Sequence, residues 1–274
     1  MIKKILLLFL CITTLSLGKS SRVVVLDPAA VEIIYMLGAE KNIVGIASSQ
    51  MTPINPIEKT KYLTSVGNIQ NPSLEKIISL KPDHVIMGFY ADDIIASLKK
   101  YKIPYTVLSV NSINDMFENI TKIGNILGKE MEAKKLIKSS NEKLNNIKIN
   151  LKKKPLNLKG TFIYNPQPLM VFGKNSITNE VLNILGVKDI SENLTGKQPI
   201  LSSEYTLIQN PDFLIGIMGV KNKENLLKSN SFLANTKAGK NQNIYILKTN
   251  KLLRLSPYMI DEIVEIYNFL DKIN

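Results

Sequence analysis

The hydrophobic positions of the first 111 residues alternate between short apolar runs and segments with helical spacing. Residues 22–26 (RVVVL) form a β-branched run typical of a buried parallel strand, and the run ends at Asp27-Pro28. A helix is predicted next, because Pro28 suits a first helical turn and apolar residues recur at helical spacing up to Gly38. Further strands are predicted at 43–47, 84–87 and 105–109, with helices at 72–80 and 92–101. This β-α order indicates a lobe built on a parallel sheet.

From residue 112 to about 151 the pattern becomes one helical stretch, with an apolar stripe under a face rich in lysine and glutamate. We predict one connecting helix over residues 112–152, about 55 Å long at about 1.5 Å per residue. The β-α order then resumes, with strands predicted at 161–164, 169–172, 212–217 and 244–247 and helices at 177–185 and from 257. The predicted class is therefore α/β, with two lobes (residues 19–111 and 153–274) that have central parallel-rich sheets and are joined by one long α-helix.

The N-terminal pattern predicts a secretory signal peptide over residues 1–18. Lys3 and Lys4 precede an apolar stretch that is shorter than the roughly 20 residues a membrane-spanning helix needs, and small residues lie at Ser16 and Gly18. An N-terminal membrane anchor and a buried first helix are the alternatives. The single cysteine, Cys11, follows a leucine instead of the small residue that lipoprotein processing requires. We expect a free periplasmic protein, unless a different start site adds a lipobox.

The charge of the chain is strongly positive. Its net charge is +12, and removal of Lys3 and Lys4 would leave +10; Arg22 and Arg254 are the only arginines. The lysines are scattered, apart from 152–154, and are not interleaved with aromatic residues, so we expect no nucleic-acid partner. The positive field favours an anionic ligand.

An internal repeat is the most specific feature of the chain. The segment PSLEKIISLKPDHVI (72–86) matches LSSEYTLIQNPDFLI (201–215) in the spacing of its Ser, Glu and Pro-Asp positions. A second pair, EIIYMLG (32–38) and EVLNILG (180–186), occurs earlier in each half and in the same order. The ordered pair of matches predicts two lobes of related construction.

These paired modules and the long helix between them resemble the helical-backbone (type III) periplasmic binding proteins. That family serves ABC importers of ferric siderophores, haem and cobalamin. The resemblance implies a protein that captures an iron chelate, a ferric siderophore or haem, and delivers it to an inner-membrane ABC permease with its ATPase. It also implies that Glu75 and Glu204 dock onto basic residues of the permease; the alternative is that both are ordinary surface glutamates near helix starts. Pro82-Asp83 and Pro211-Asp212 are interpreted as architecture, because proline ends a helix before the next strand.

Ligand contacts are expected from loops at the carboxyl ends of the strands, including the loop at Asp27-Pro28. The candidate ligand-binding residues are Met51, Asn68, Tyr90, Tyr164, Arg254 and Tyr258. Arg254 resembles the family's arginine just before the final helix, and its planar guanidinium suits a carboxylate or catecholate. Tyr90 and Tyr258 offer either a phenolate for iron or an apolar face for packing.

Several absences limit the ligand class. Haem binders of this family often have a tyrosine directly after the Val-Gly pair, whereas Val66-Gly67 is followed by Asn68. The chain has no tryptophan to stack on a corrin, which makes cobalamin the alternative. His84 is the only histidine, so neither a bare-metal site nor acid–base catalysis is expected. With no enzyme motif and no cofactor expected, the remaining alternative class is a non-transport surface or structural protein on the same fold. We expect a monomer.

Overall fold

The computed structural model describes residues 21–48, 52–88 and 94–274. The N-terminal lobe is built on a five-stranded sheet whose paired strands are all parallel. Its strands are β1 (Val23–Val25), β2 (Ile43–Ser48), β3 (Ser65–Asn68), β4 (His84–Met87) and β5 (Tyr105–Val107), in the order β3-β2-β1-β4-β5. The continuous apolar run predicts the central strand correctly, since all three residues of β1 are fully buried.

The C-terminal lobe has a second five-stranded sheet, which is parallel except for one strand. Its strands are β6 (Lys159–Pro166), β7 (Leu169–Val171), β8 (Lys188–Asp189), β9 (Phe213–Gly216) and β10 (Ile244–Ile246). The order is β10-β9-β6-β7, with β8 also paired to β6, and β7 is antiparallel to β6. The prediction of two lobes with parallel-rich sheets is confirmed.

Helices follow most of the strands. They are α1 (Pro28–Met36), α2 (Ile57–Thr60), α3 (Leu74–Ser79), α4 (Ile95–Lys100), α5 (Ile113–Leu127), α6 (Glu130–Lys153), α7 (Ile177–Ile184), α8 (Ser203–Gln209), α9 (Lys223–Ser229), α10 (Lys237–Lys240) and α11 (Tyr258–Ile273). Several begin at a side chain that accepts a hydrogen bond from the first turn, as Asp27 does for α1 and Ser112 for α5. In the described parts of the chain, no helix is both long and apolar enough to cross a bilayer.

The connecting segment is not the single helix predicted over residues 112–152. It consists of α5 and α6, which are separated at Gly128. Gly128 adopts a left-handed conformation (φ 66°), and the Lys129 amide donates to the Gly124 carbonyl at 2.7 Å, so α5 ends in a glycine cap. Helix α6 has 24 residues, about 36 Å at about 1.5 Å per residue. It packs on α5 and on α11, and α5 packs on α1.

One apolar core runs through both lobes. The largest buried cluster contains Ile34 of α1, Ile120 of α5, Ile147 of α6, Ile215 of β9 and Ile263 of α11. Smaller clusters form around the two sheets, with Val85 in the N-terminal lobe and Leu214 in the C-terminal lobe. Because the lobes share a core, a large rotation between them would expose apolar surface, and the fold favours small movements.

The repeated module has the same local structure in both lobes. Ser73 and Ser202 cap α3 and α8 by accepting from the backbone amide three residues later. Asp83 accepts the Arg22 amide at 3.0 Å, just before β1, and Asp212 accepts the Lys159 amide at 3.0 Å at the start of β6. Each Pro-Asp pair therefore joins the start of one strand to the start of its neighbour, which confirms its architectural role.

Candidate functional site: the cleft between the lobes

A cavity of about 440 Å³ lies between the two lobes. Its N-terminal-lobe side consists of Asp27, Pro28, Ala29, Thr52, Ile69, Val110 and Asn111, and its C-terminal-lobe side of Met218, Asn250, Leu253, Arg254 and Leu255. Asp27, Ile69 and Met218 closely follow β1, β3 and β9. The cavity therefore lies at the carboxyl ends of the strands, where open α/β sheets bind ligands.

Asp27 lies at the buried end of this cavity. One carboxylate oxygen (Oδ1) accepts the Ala30 amide at 2.8 Å and so caps α1. The other oxygen, Oδ2, faces Gly88 just after β4, and a Cβ at Gly88 would lie 2.9 Å from it. Burial raises the pKa of Asp27, and the hydrogen bonds from the Ala30 and Ala29 amides and the positive charge of Arg254 only partly offset this rise. The cavity thus contains a carboxyl group whose charged form is disfavoured.

Arg254 forms part of the cavity wall, but its guanidinium is already engaged by the N-terminal lobe. Nη1 donates to Glu32 Oε1 at 2.6 Å and to the Pro53 carbonyl at 2.9 Å. Nη2 donates to the Thr52 carbonyl at 3.2 Å and to the Thr52 hydroxyl at 2.7 Å. The side chain is only 12% exposed. In this structure Arg254 is therefore a contact between the lobes as well as a cavity residue.

Of the other predicted ligand-binding residues, the three that the structure describes, Asn68, Tyr164 and Tyr258, do not line the cavity. Asn68 ends β3, and its side chain accepts the Asn71 amide at 2.7 Å. The Tyr164 ring packs edge-on against Phe172, with ring centres 5.5 Å apart. The Tyr258 ring contacts the Lys251 ammonium (5.0 Å) in a separate surface depression at the start of α11. Met51 and Tyr90 lie outside the described residues.

Sequence reasoning missed cavity residues in both lobes. Met218 and Asn250 line the cavity two and four residues after β9 and β10 end. Met218 and Asn250 each follow a parallel strand, which is the rule that selected the Asp27 loop. Neither side chain has a chemical feature that distinguishes it from its neighbours in sequence. Thr52 was missed because its partner, Arg254, is 202 residues away.

A lysine-bearing rim adjoins the cavity. A second depression of about 560 Å³ shares Met218 and Asn250 with it, and its charged residues are Lys221, Lys223 and Lys248 with one carboxylate, Glu224. Lys221 and Lys248 are exposed. The mouth of the cleft therefore carries positive charge on its C-terminal-lobe side.

Glu75 and Glu204 lie at equivalent positions in the two lobes. Each is the second residue of its helix, α3 or α8, and both side chains are exposed. The surroundings of the two helices differ, since Leu207 and Ile208 of α8 are 40% and 71% exposed.

The described residues do not form a protein metal site. Nowhere in residues 21–48, 52–88 and 94–274 do three or more His, Cys, Asp or Glu side chains come together to hold a metal ion. His84 is half-buried on β4, where Nε2 lies 2.8 Å from the Thr106 hydroxyl and burial lowers the pKa of the imidazole. It is a strand residue of the N-terminal lobe.

Comparisons with known proteins all agree with this architecture. A family model described as periplasmic binding protein matches residues 23–250. The chain is 30% identical over 256 residues to an uncharacterized ABC transporter substrate-binding lipoprotein, YvrC, of Bacillus subtilis, covering 89% of this chain and 78% of YvrC. It is 23% identical over 275 residues to the vitamin B12-binding protein of Vibrio parahaemolyticus (97% and 95% covered). The solved periplasmic heme-binding protein RhuT from Roseiflexus sp. RS-1 has the same fold, with a TM-score of 0.78, 23% identity, and 93% and 100% of the two chains covered.

Proposed function

The chain belongs to the periplasmic binding protein family, and on that premise we propose that it captures an anionic iron chelate in the interlobe cleft. As the substrate-binding protein of an ABC transporter, it binds a solute and interacts with a permease, and it is not an enzyme. The finer proposal is that the solute is a ferric siderophore or haem, bound in the periplasm after cleavage of residues 1–18. The observation that carries this proposal is the cavity between the two lobes, together with its basic rim.

The size and lining of the cavity support a small organic ligand. Its volume of about 440 Å³ falls in the range of about 300–1,000 Å³ usual for small-molecule sites. Apolar side chains from both lobes, Ile69, Val110, Met218 and Leu253, provide surfaces for the organic part of a chelate. Thr52, Asn111 and Asn250 add polar groups among them.

The electrostatics favour a ligand with negative charge. The rim lysines, Lys221, Lys223 and Lys248, outnumber the rim carboxylate of Glu224 on the C-terminal-lobe side of the cleft. Asp27 works against this field only when ionised, and burial makes its ionisation unfavourable by raising its pKa. Many ferric chelates are anions, and a chain whose net charge is still +10 without Lys3 and Lys4 attracts them over distances of about a Debye length.

Cobalamin is the second candidate, because the vitamin B12-binding relative from Vibrio parahaemolyticus aligns over 97% of this chain. We rank it below an iron chelate, since the chain has no tryptophan to stack on the corrin and the cleft mouth is basic.

Delivery to the permease is assigned to Glu75 and Glu204. Both carboxylates are exposed at equivalent places in the two lobes, and neither lines the interlobe cavity. The two carboxylates therefore form a pair of negative charges, one in each lobe, that a symmetric basic surface of the permease could bind.

The absorption spectrum of the protein purified from its native host tests the proposed ligand class. A broad visible charge-transfer band or a Soret band supports a ferric siderophore or haem, respectively. A corrin spectrum would replace the proposal with cobalamin.

A further inference from the structure

Glu32 is a fully buried charged residue in the middle of α1. It does not line the cleft cavity, and the proposed function leaves it without a role. Its carboxylate receives hydrogen bonds from two regions of the molecule. Oε1 accepts the Asn55 amide at 3.0 Å, the Asn55 side-chain amide at 2.9 Å and Arg254 Nη1 at 2.6 Å, and Oε2 accepts the Ser256 hydroxyl.

These partners connect the two sides of the cleft. Asn55 ends the N-terminal-lobe segment 52–55, whose Thr52 lines the cavity. Arg254 and Ser256 belong to the C-terminal-lobe segment 252–256 that precedes α11. Arg254 in turn donates to Thr52 and to Pro53, so the segment 52–55 is held by Glu32 directly and through Arg254.

The repeat provides an internal comparison for this arrangement. Glu180 occupies the position of Glu32 in the C-terminal-lobe copy, and its carboxylate reaches the connecting segment, where it accepts the Ile113 amide at 3.2 Å at the start of α5. Glu180 is only half-buried and contacts neither of the cleft segments 52–55 and 252–256. The two glutamates share a place in the fold, but only Glu32 holds the cavity wall.

We infer that Glu32 is a positioning residue of the binding cleft: its carboxylate fixes segments 52–55 and 252–256 against each other and so sets the shape of the site. This inference rests on the proposed function for its ligand. Glu32 itself does not contact the ligand. Losing its charge leaves Arg254 buried without its carboxylate partner, so both segments should loosen together.

The test compares Glu32→Gln with the matched control Glu180→Gln in the mature full-length protein. Hydrogen–deuterium exchange of the ligand-free protein reports directly on the amides of Thr52, Ile54 and Asn55 and of residues 252–256. Ferric tris-catecholate and haemin serve as ligand probes, followed by tyrosine fluorescence, and the induced circular dichroism of the bound probe reports its orientation. That dichroism would not change if Glu32 supported only the overall stability of the fold.

We expect Glu32→Gln to accelerate exchange at least tenfold in both segments. It should also lower the affinity for the probe that binds at least tenfold and alter the induced dichroism of that probe. Glu180→Gln should leave all three unchanged. Unchanged exchange in Glu32→Gln, or equal effects in both variants, would overturn the inference. If neither probe binds the wild-type protein, the chelate proposal fails, while the exchange data still decide the role of Glu32. Should Glu32→Gln not fold, Asn55→Ala removes one of the four donors, the Asn55 side-chain amide, and must show the same pattern, with smaller changes, for the inference to stand.

Discussion

The two lobes carry the same module but use it differently. In both, a serine caps a short helix, a Pro-Asp pair begins the next strand, and the aspartate accepts a backbone amide near the start of the lobe's first strand. The glutamates at the other repeated position diverge, because Glu32 is fully buried among four donors and Glu180 is half-buried with one backbone partner. Local sequence therefore sets the backbone of each copy, whereas distant partners decide what an equivalent side chain does.

Reversing the charges of the two proposed docking residues, Glu75 and Glu204, should have the largest effect of all. We predict that Glu75→Lys with Glu204→Lys reduces uptake in cells to background, because repulsion replaces attraction at both ends of the permease contact. Affinity for the ligand should stay within about twofold, since neither residue lines the cavity. Glu118→Lys with Glu142→Lys is the matched control, because these exposed side chains lie on α5 and α6. A large loss of ligand affinity in the variant with Glu75→Lys and Glu204→Lys would contradict the docking role.

Replacing Arg254 should have the next largest effect. We predict that Arg254→Ala weakens chelate binding at least thirtyfold, a loss in the range of about 2–5 kcal/mol for a buried charge-assisted contact. It should also lower the free energy of unfolding by about 3–5 kcal/mol, because Glu32 is left as an unpaired buried charge. Arg254→Lys should recover only part of each loss, since lysine cannot donate to Glu32, Thr52 and Pro53 in one planar fork.

Arg22→Ala is the matched control for Arg254, because Arg22 is the other arginine and its guanidinium donates to the backbone carbonyls of Leu80 and Lys81, just after α3. Fluorescence titration measures the ligand affinity, and urea unfolding measures the free energy of unfolding. Wild-type affinity in Arg254→Ala would mean that the rim lysines or the apolar walls alone hold the ligand.

The Pro-Asp aspartates should affect stability only. Asp212 is mostly buried and also pairs with Lys237 at 3.1 Å, so Asp212→Asn is predicted to cost about 1–3 kcal/mol in urea unfolding. The exposed Asp83 should contribute less to the free energy of unfolding. The hydrogen bonds that its carboxylate accepts from Ser21 and Arg22 lower the pKa of Asp83 from its ordinary value of 3.8.

The lowered pKa fixes the sign of the pH dependence. The unfolded state binds the proton more readily, so the contribution of Asp83 is present above pH 3.8 and is lost as the pH falls through the folded-state pKa. Asp83→Asn should therefore differ from wild type at pH 6 and converge with it near pH 2 in urea unfolding. A weakened ligand affinity in either aspartate variant would contradict a purely architectural role.

The smallest expected change is the closure of the lobes on ligand binding. The shared core and the contacts of α6 with α5 and α11 resist rotation, so we predict movement of only a few degrees. Small-angle scattering with and without ligand should give the same radius of gyration within error. A clear contraction on binding would show that the common core does not restrain the lobes.

The fold was predictable where neighbouring residues determine it. The β-branched run of β1, the proline start of α1 and the duplicated Glu-to-Pro-Asp spacing all act over short stretches of chain. Strand β3 was missed because Ser65, Gly67 and Asn68 give it no apolar run. The helix break at Gly128 was missed because the apolar stripe continues on both sides of it, although a glycine just after Leu127 is itself the usual signal for a helix end.

The candidate site was less predictable than the fold. Ligands bind at the carboxyl ends of parallel strands, and this rule selected the Asp27 loop. The role of Arg254 depends on Glu32, 222 residues away, and no local pattern connects the two. Tyrosine positions were equally ambiguous, since Tyr164 packs against Phe172 and Tyr258 against Lys251.

The central claim is that the interlobe cleft binds an anionic iron chelate. The most direct measurement is a titration of the mature protein with ferric tris-catecholate, haemin, cyanocobalamin and the iron-free catecholate, followed by the fluorescence of its ten tyrosines, since there is no tryptophan. We predict saturable one-to-one quenching by an iron chelate, weakened by Arg254→Ala and unaffected by Arg22→Ala. Saturable binding of cyanocobalamin alone, or chelate binding that Arg254→Ala leaves intact, would contradict it.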